Sequence, residues 1–151
     1  MPHRCLQASK QVTLTVPAGV EQGQKLRVRA EGDAGPYGGA PGDLYIFIDV
    51  KPDSRFRREG PEIYSNVEVS CVDAILGAEA AVTTIDGEVT IKVPPGSQPE
   101  TVLRLKGKGA PKLGEKSARG NHFVTLKVRV PEKLSARERE IVEELRAIRS
   151  R

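Results

Sequence analysis

Few side chains in this sequence carry the chemistry for catalysis or metal binding. Histidine occurs twice, at His3 and His122, and cysteine twice, at Cys5 and Cys71. A serine or cysteine hydrolase needs a nucleophile, a base and a group that orients the base. Neither histidine has Ser, Cys or carboxylate neighbours in the chain that suggest such a triad, and His122 falls within a strand-like pattern. Structural zinc is usually held by paired Cys-x-x-Cys elements, and none occurs here. Gly32, Gly35, Gly38, Gly39 and Gly42 make a Gly-rich stretch. It lacks a Gly-Lys-Ser/Thr ending and opens no helix, so the mechanism of an anion cradle is missing and a turn is expected. No motif with catalytic mechanics remains, and the expectation is a non-enzyme.

The chemistry must then lie in surfaces, and the elements that build them are legible. The chain has 151 residues, 38% hydrophobic and 29% charged, which suits one ordinary globular domain or two small ones. Aromatics are 4% with no Trp, so packing rests on Val, Ile and Leu. The net charge of +4 is mild, and it first argues for solvated strand and helix faces. The sequence contains no apolar run of membrane-spanning length and nothing like a signal peptide. Two cysteines without a Cys-x-x-Cys fit a reducing compartment.

The most informative feature is an internal repeat. Val12-Thr13-Leu14-Thr15-Val16-Pro17-Ala18-Gly19 reappears 77 residues later as Val89-Thr90-Ile91-Lys92-Val93-Pro94-Pro95-Gly96. Leu26-Arg27-Val28 matches Leu103-Arg104-Leu105 and Gly32 matches Gly109 at the same offset. Gly42-Asp43-Leu44-Tyr45-Ile46 then parallels Gly120-Asn121-His122-Phe123-Val124 at an offset of 78. The sequence thus predicts two copies of one β-module. In copy one, strands are expected over residues 12–16, 25–29 and 44–50, the last covered on both faces because its run is nearly all apolar. Copy two carries added sequence in front. Val67 and Val69 alternate as a strand, residues 72–76 fit a short helical turn stopped by Gly77, and Asp86-Gly87 marks a hairpin after a strand over 81–85. Copy one has only residues 1–11 at that place, so the expectation is a truncated first copy. The last segment differs: Ser135 and Glu138 fit a capping box opening a helix over 136–148. Ile141, Leu145 and Ile148 fall at i, i+4 and i+7 with Val142 beside them. Such a stripe must dock on its own domain or on a partner chain.

These residues resemble the DnaJ family, in particular the carboxy-terminal β-domains of its class A members. The resemblance rests on Val16-Pro17-Ala18-Gly19, Glu31-Gly32-Asp33-Ala34-Gly35 and Pro41-Gly42-Asp43-Leu44-Tyr45 for a first domain, and on Phe56-Arg57-Arg58-Glu59-Gly60 for the junction. For a second domain it rests on Ala74-Ile75-Leu76-Gly77, Asp86-Gly87, Val93-Pro94-Pro95-Gly96 and Gly107-Lys108-Gly109. It implies a mainly β fold: two tandem small β-sandwich-like domains of the DnaJ C-terminal type, the first truncated, then an amphipathic helix. The expected divisions are a ragged start over 1–10, a partial first domain over 11–52, a second over 53–131 and a dimerisation helix over 132–151. The resemblance also implies that zinc belongs to a Cys-rich insert absent from this chain, so no cofactor is expected here. Cys5 does not match that insert's Cys-x-x-Cys-x-Gly pattern and is not counted as a ligand. The wording of residues 72–77 and 111–114 looks plastid or cyanobacterial, which implies the chloroplast stroma, or alternatively a bacterial cytoplasm.

By the same resemblance, the function is to bind unfolded or non-native client polypeptides as the clamp of a co-chaperone that answers stress and delivers clients to a DnaK-type ATPase chaperone. Carried over by position, the client groove falls on Val12, Leu44 and Ile46, with Leu14, Leu26 and Val28 read as ordinary core. Homodimerisation falls on Ile141, Val142, Leu145 and Ile148. The alternative is a basic β-domain that binds nucleic acid. Against it, Tyr45, Phe47, Tyr64 and Phe123 are not interleaved with a basic stripe.

Overall fold

The computed structural model describes residues 9–150, so His3 and Cys5, with most of the expected ragged start, lie outside the described residues. Two short antiparallel strands, β1 (Lys25–Val28) and β2 (Leu44–Phe47), make the first sheet. Next come β3 (Arg57–Glu59), β4 (Glu62–Ser70), helix α1 (Cys71–Leu76), β5 (Ala78–Thr84), β6 (Gly87–Val93) and β7 (Val102–Leu105). The small hairpin of β8 (Pro111–Lys112) and β9 (Glu115–Arg119) precedes β10 (His122–Arg129) and helix α2 (Ala136–Arg149). The main sheet has the order β3-β4-β10-β7, with β4 and β10 parallel. The fold is therefore mainly β with a terminal helix, as the resemblance implied.

The repeat in sequence is a repeat in hydrogen-bond register. In the first copy Leu26 faces Ile46 and Val28 faces Leu44. In the second, Leu103 faces Val124 and Leu105 faces His122, the positions 77 and 78 residues on. The closing loop bond recurs too: Gly32 N donates to Gly42 O at 2.8 Å, and Gly109 N to Gly120 O at 3.0 Å. Both Pro-x-Gly turns use a left-handed glycine, Gly19 at φ 81° and Gly96 at φ 76°.

The core belongs to the second copy. The hairpin β5–β6 and helix α1 cover the main sheet, burying Val82 and Ile91 against Val124, and Ala74 and Val93 against Val69 and Leu126. This is the expected sandwich. Alternation at period two puts Ile63, Val69, Val124 and Leu126 inward. On the opposite face Arg57, Tyr64, Phe123 and Arg104 stand side by side across the four strands. Ser70 caps α1 by accepting from Asp73 N, and Gly77 ends it at φ 82°.

Several sequence expectations are corrected. Residues 12–16 form no strand: Val12 and Leu14 keep an alternating half-burial, but the main chain has no ladder partner among the described residues. The third strand ends at Phe47 rather than at residue 50, and only one of its faces is covered, with Tyr45 54% and Phe47 65% exposed. A run of apolar residues therefore did not mean burial on both faces; two of them are amphipathic or exposed aromatics. In the second copy the hairpin turn is Ile85 and Asp86, because Thr84 pairs with Gly87. Thr84 Oγ1 accepts from Asp86 N at 3.2 Å and donates to Gly87 O at 2.8 Å, which draws the turn one residue earlier.

Candidate functional site

The apolar face of the β1–β2 sheet is built by register alone. Leu26, Val28, Leu44 and Ile46 lie on one side of two paired strands, and each is half-buried. Among the described residues, no buried hydrophobic lies before Ile63, so this face is covered less than the core of the second copy. The expected groove residues Leu44 and Ile46 are thus brought together. Leu26 and Val28, read from sequence as core, sit directly across the ladder with the same half-burial, and the structure draws no line between the two pairs. Val12 is half-buried in the preceding segment, outside the ladder.

A junction holds this sheet to the second copy. Phe56 N donates to Asp53 O at 3.3 Å, and Arg55 clamps Asp53 with its backbone N and with guanidinium Nε and one terminal nitrogen. Those bonds lower the carboxyl pKa of Asp53 to about 2. Arg58 Nε donates to Gly60 O at 2.7 Å, while its terminal nitrogens donate to Val20 O and Gly19 O, each at 2.9 Å. One guanidinium therefore satisfies three carbonyls from two parts of the chain. Beside it opens a cleft of about 950 Å³ with Val50, Phe56, Ile63 and Ile85 on its walls and Glu21, Asp49, Arg55 and Arg57 among its charges. The resemblance marks Phe56–Gly60 as the junction, but Arg58's role is hidden in the sequence because two of its acceptors are 38 and 39 residues away.

His122 does have a serine neighbour, in space. Its Nε2 lies 2.7 Å from Ser65 Oγ, and the ring packs edge-on to Phe56 at 5.9 Å. The side chain is fully buried, Nδ1 has no hydrogen-bond partner among the described residues, and burial lowers the imidazole pKa. A base that no carboxylate orients, sealed from solvent, does not form a hydrolytic triad. Cys71 carries a free thiol at the start of α1. Among the described residues no three His, Cys, Asp or Glu side chains come together as metal ligands.

Helix α2 carries its capping box as expected, with Ser135 and Glu138 each bonding the other's backbone N–H. Every residue of the helix is exposed. Ile141, Val142, Leu145 and Ile148 are 45–65% exposed, so the stripe is not folded back onto its own domain. No helix among the described residues is long and apolar enough to cross a membrane.

The sequence reading of scattered aromatics is also corrected by pairing. Lys25 faces Phe47 and Arg27 faces Tyr45 across the ladder, so cations and rings interleave between strands although they do not along the chain.

Comparison with known proteins agrees with this architecture. The family described as DnaJ C terminal domain matches residues 5–131. The chain is 54% identical over 134 residues to the Chaperone protein DnaJ of Gloeobacter violaceus, covering 89% of this chain and 35% of that protein. It is 49% identical over 144 residues to the Chaperone protein DnaJ of Thermosynechococcus vestitus, covering 95% of this chain and 39% of that protein. It is 49% identical over 143 residues to Chaperone protein DnaJ 1 of a Synechocystis strain, covering 95% and 38%. The chain thus spans 35–39% of the length of these cyanobacterial relatives, all of them chaperones by name. The sequence repeat, the shared register and this match together place the chain in the DnaJ C-terminal domain family.

Proposed function

We propose that this chain is the client-holding and dimerising end of a DnaJ-type co-chaperone. The observation that carries the reading is the β1–β2 sheet, whose apolar face of Leu26, Val28, Leu44 and Ile46 is only half-covered. A holdase must take apolar segments without reading their sequence. An apolar face beside a strand edge supports this, since main-chain bonds give affinity and alternate side chains find pockets. Leu44, Ile46 and Val12 take the client's side chains, and Leu26 and Val28 extend the surface of Leu44 and Ile46. The exposed stripe of Ile141, Val142, Leu145 and Ile148 supports a twofold contact, which is self-complementary and can use a short helix.

In this reading residues 11–52 and 53–131 form one arm, and residues 132–151 join two chains into a V-shaped clamp. Clients pass to a DnaK-type ATPase chaperone through parts of a longer protein, and zinc belongs to a Cys-rich insert there. The protein works in stress response, in a bacterial cytoplasm or a chloroplast stroma; the cyanobacterial relatives are compatible with both. The test is fluorescence anisotropy of a labelled unfolded apolar peptide. Binding that tolerates high salt and is lost in Leu44→Asp with Ile46→Asp supports the reading. Binding unchanged in that variant would remove this face from the mechanism.

A further inference from the structure

The outward face of the β1–β2 sheet carries two open aromatic rings, each opposite a cation. Tyr45 and Phe47 are two residues apart on one strand, so both point away from the apolar face, roughly 7 Å from each other. They are 54% and 65% exposed. Lys25 Nζ stands 5.1 Å from the centroid of the Phe47 ring, and Arg27 is opposite Tyr45. Arg29 follows, exposed, at the end of β1. Two carboxylates flank the rings, and both are engaged. Asp43 accepts from Arg27 Nε at 2.7 Å and from Ala30 N at 3.0 Å, and Asp49 accepts from Gln22. Lys25 and Arg29 pair with no carboxylate among the described residues.

The other surface aromatics are closed by comparison. Tyr64 and Phe123 stack on each other at 5.3 Å, and Arg57 covers Tyr64 at 4.8 Å. Tyr45 and Phe47 are by contrast more than half exposed and do not stack on each other among the described residues, with Lys25 over one face of Phe47.

We propose that this outward face binds single-stranded nucleic acid with little sequence preference. Tyr45 and Phe47 stack two successive bases, because any base has a π-face and the spacing suits an extended strand. Lys25 and Arg29 meet the phosphates, in line with the chain's net charge of +4. The proposal is independent of client binding, which uses the opposite side of the same two strands.

The test is anisotropy of a fluorescein-labelled oligouridylate titrated with the full 151-residue chain over a series of salt concentrations. Affinity is expected to fall as salt rises. Tyr45→Thr with Phe47→Thr should weaken binding about tenfold or more, since threonine keeps the strand but removes the rings. Tyr45→Phe should keep binding. Lys25→Gln should reduce the slope of log affinity against log salt by about 0.7. These conservative variants carry the test if the double variant does not fold. Absence of binding at low salt, binding that survives loss of both rings, or equally tight binding of polyglutamate would each overturn the proposal. The last outcome would mean that the face reads negative charge alone.

Discussion

Ser65 Oγ and His122 Nε2 meet at 2.7 Å between the parallel strands β4 and β10, and His122 Nδ1 has no hydrogen-bond partner among the described residues. His122 is the repeat counterpart of Leu44. A polar ring therefore occupies a place that the module's own pattern reserves for an apolar side chain. Burial favours its neutral form and lowers its pKa from 6.5.

The sign of the pH effect follows. The unfolded chain binds a proton at His122 more readily than the folded one, so stability rises with pH across that window. The full contribution is present above about pH 6.5 and is lost as pH falls toward the lower folded value. His122→Leu should flatten the profile of melting temperature against pH between 7 and 5. A variant that keeps the parent's slope would show that other groups carry it.

Helix α2 should set the association state. Ile141→Asp with Leu145→Asp should give monomers with unchanged circular dichroism, because both positions are exposed and belong to neither core cluster. Sedimentation at several concentrations reads the result. A double variant that remains dimeric would exclude the stripe as the interface.

Arg58 should control the junction. Arg58→Ala removes three charge-assisted bonds to carbonyls of Gly19, Val20 and Gly60 and is expected to cost about 2–4 kcal/mol in urea unfolding. Arg58→Lys should recover little, because an ammonium cannot span three acceptors in one plane. A loss below half a kcal/mol would mean that the guanidinium is not needed there.

Gly19→Ala tests the contact between the first turn and the β8–β9 hairpin. A Cβ there would lie 2.6 Å from Pro111 O and 2.7 Å from Leu113 N, and the backbone is left-handed at φ 81°. Gly96→Ala in the equivalent turn meets nothing within 4 Å, so it carries the φ cost alone, about 1 kcal/mol. The difference between the two in melting temperature isolates the packing. Equal losses would mean that the Gly19 contact is not tight.

The client face takes the second charge test. Leu44→Asp with Ile46→Asp should weaken binding of an apolar peptide more than tenfold, while the second copy keeps its core, since no residue of that core lies before Ile63. Near-ultraviolet dichroism and peptide anisotropy read the two outcomes separately.

The modular plan is legible in residue spacing. Offsets of 77 and 78 residues identify two copies, and the ladders Leu26 to Ile46 and Leu103 to Val124 realise them in one register. Local signals were also sufficient at Ser135 with Glu138, and at Gly77, because caps and left-handed ends act within a few residues. Tertiary structure alone decided what faces what. Residues 12–16 alternate as a strand should, yet a strand exists only where a second chain segment supplies hydrogen bonds. Ser65 reaches His122 across 57 residues, and Arg58 reaches Val20 across 38. Lys25 and Phe47 look unrelated along the chain and stand opposite each other in the sheet. Composition and period report the probability that a side chain is covered; only the pairing of distant segments settles which neighbours cover it.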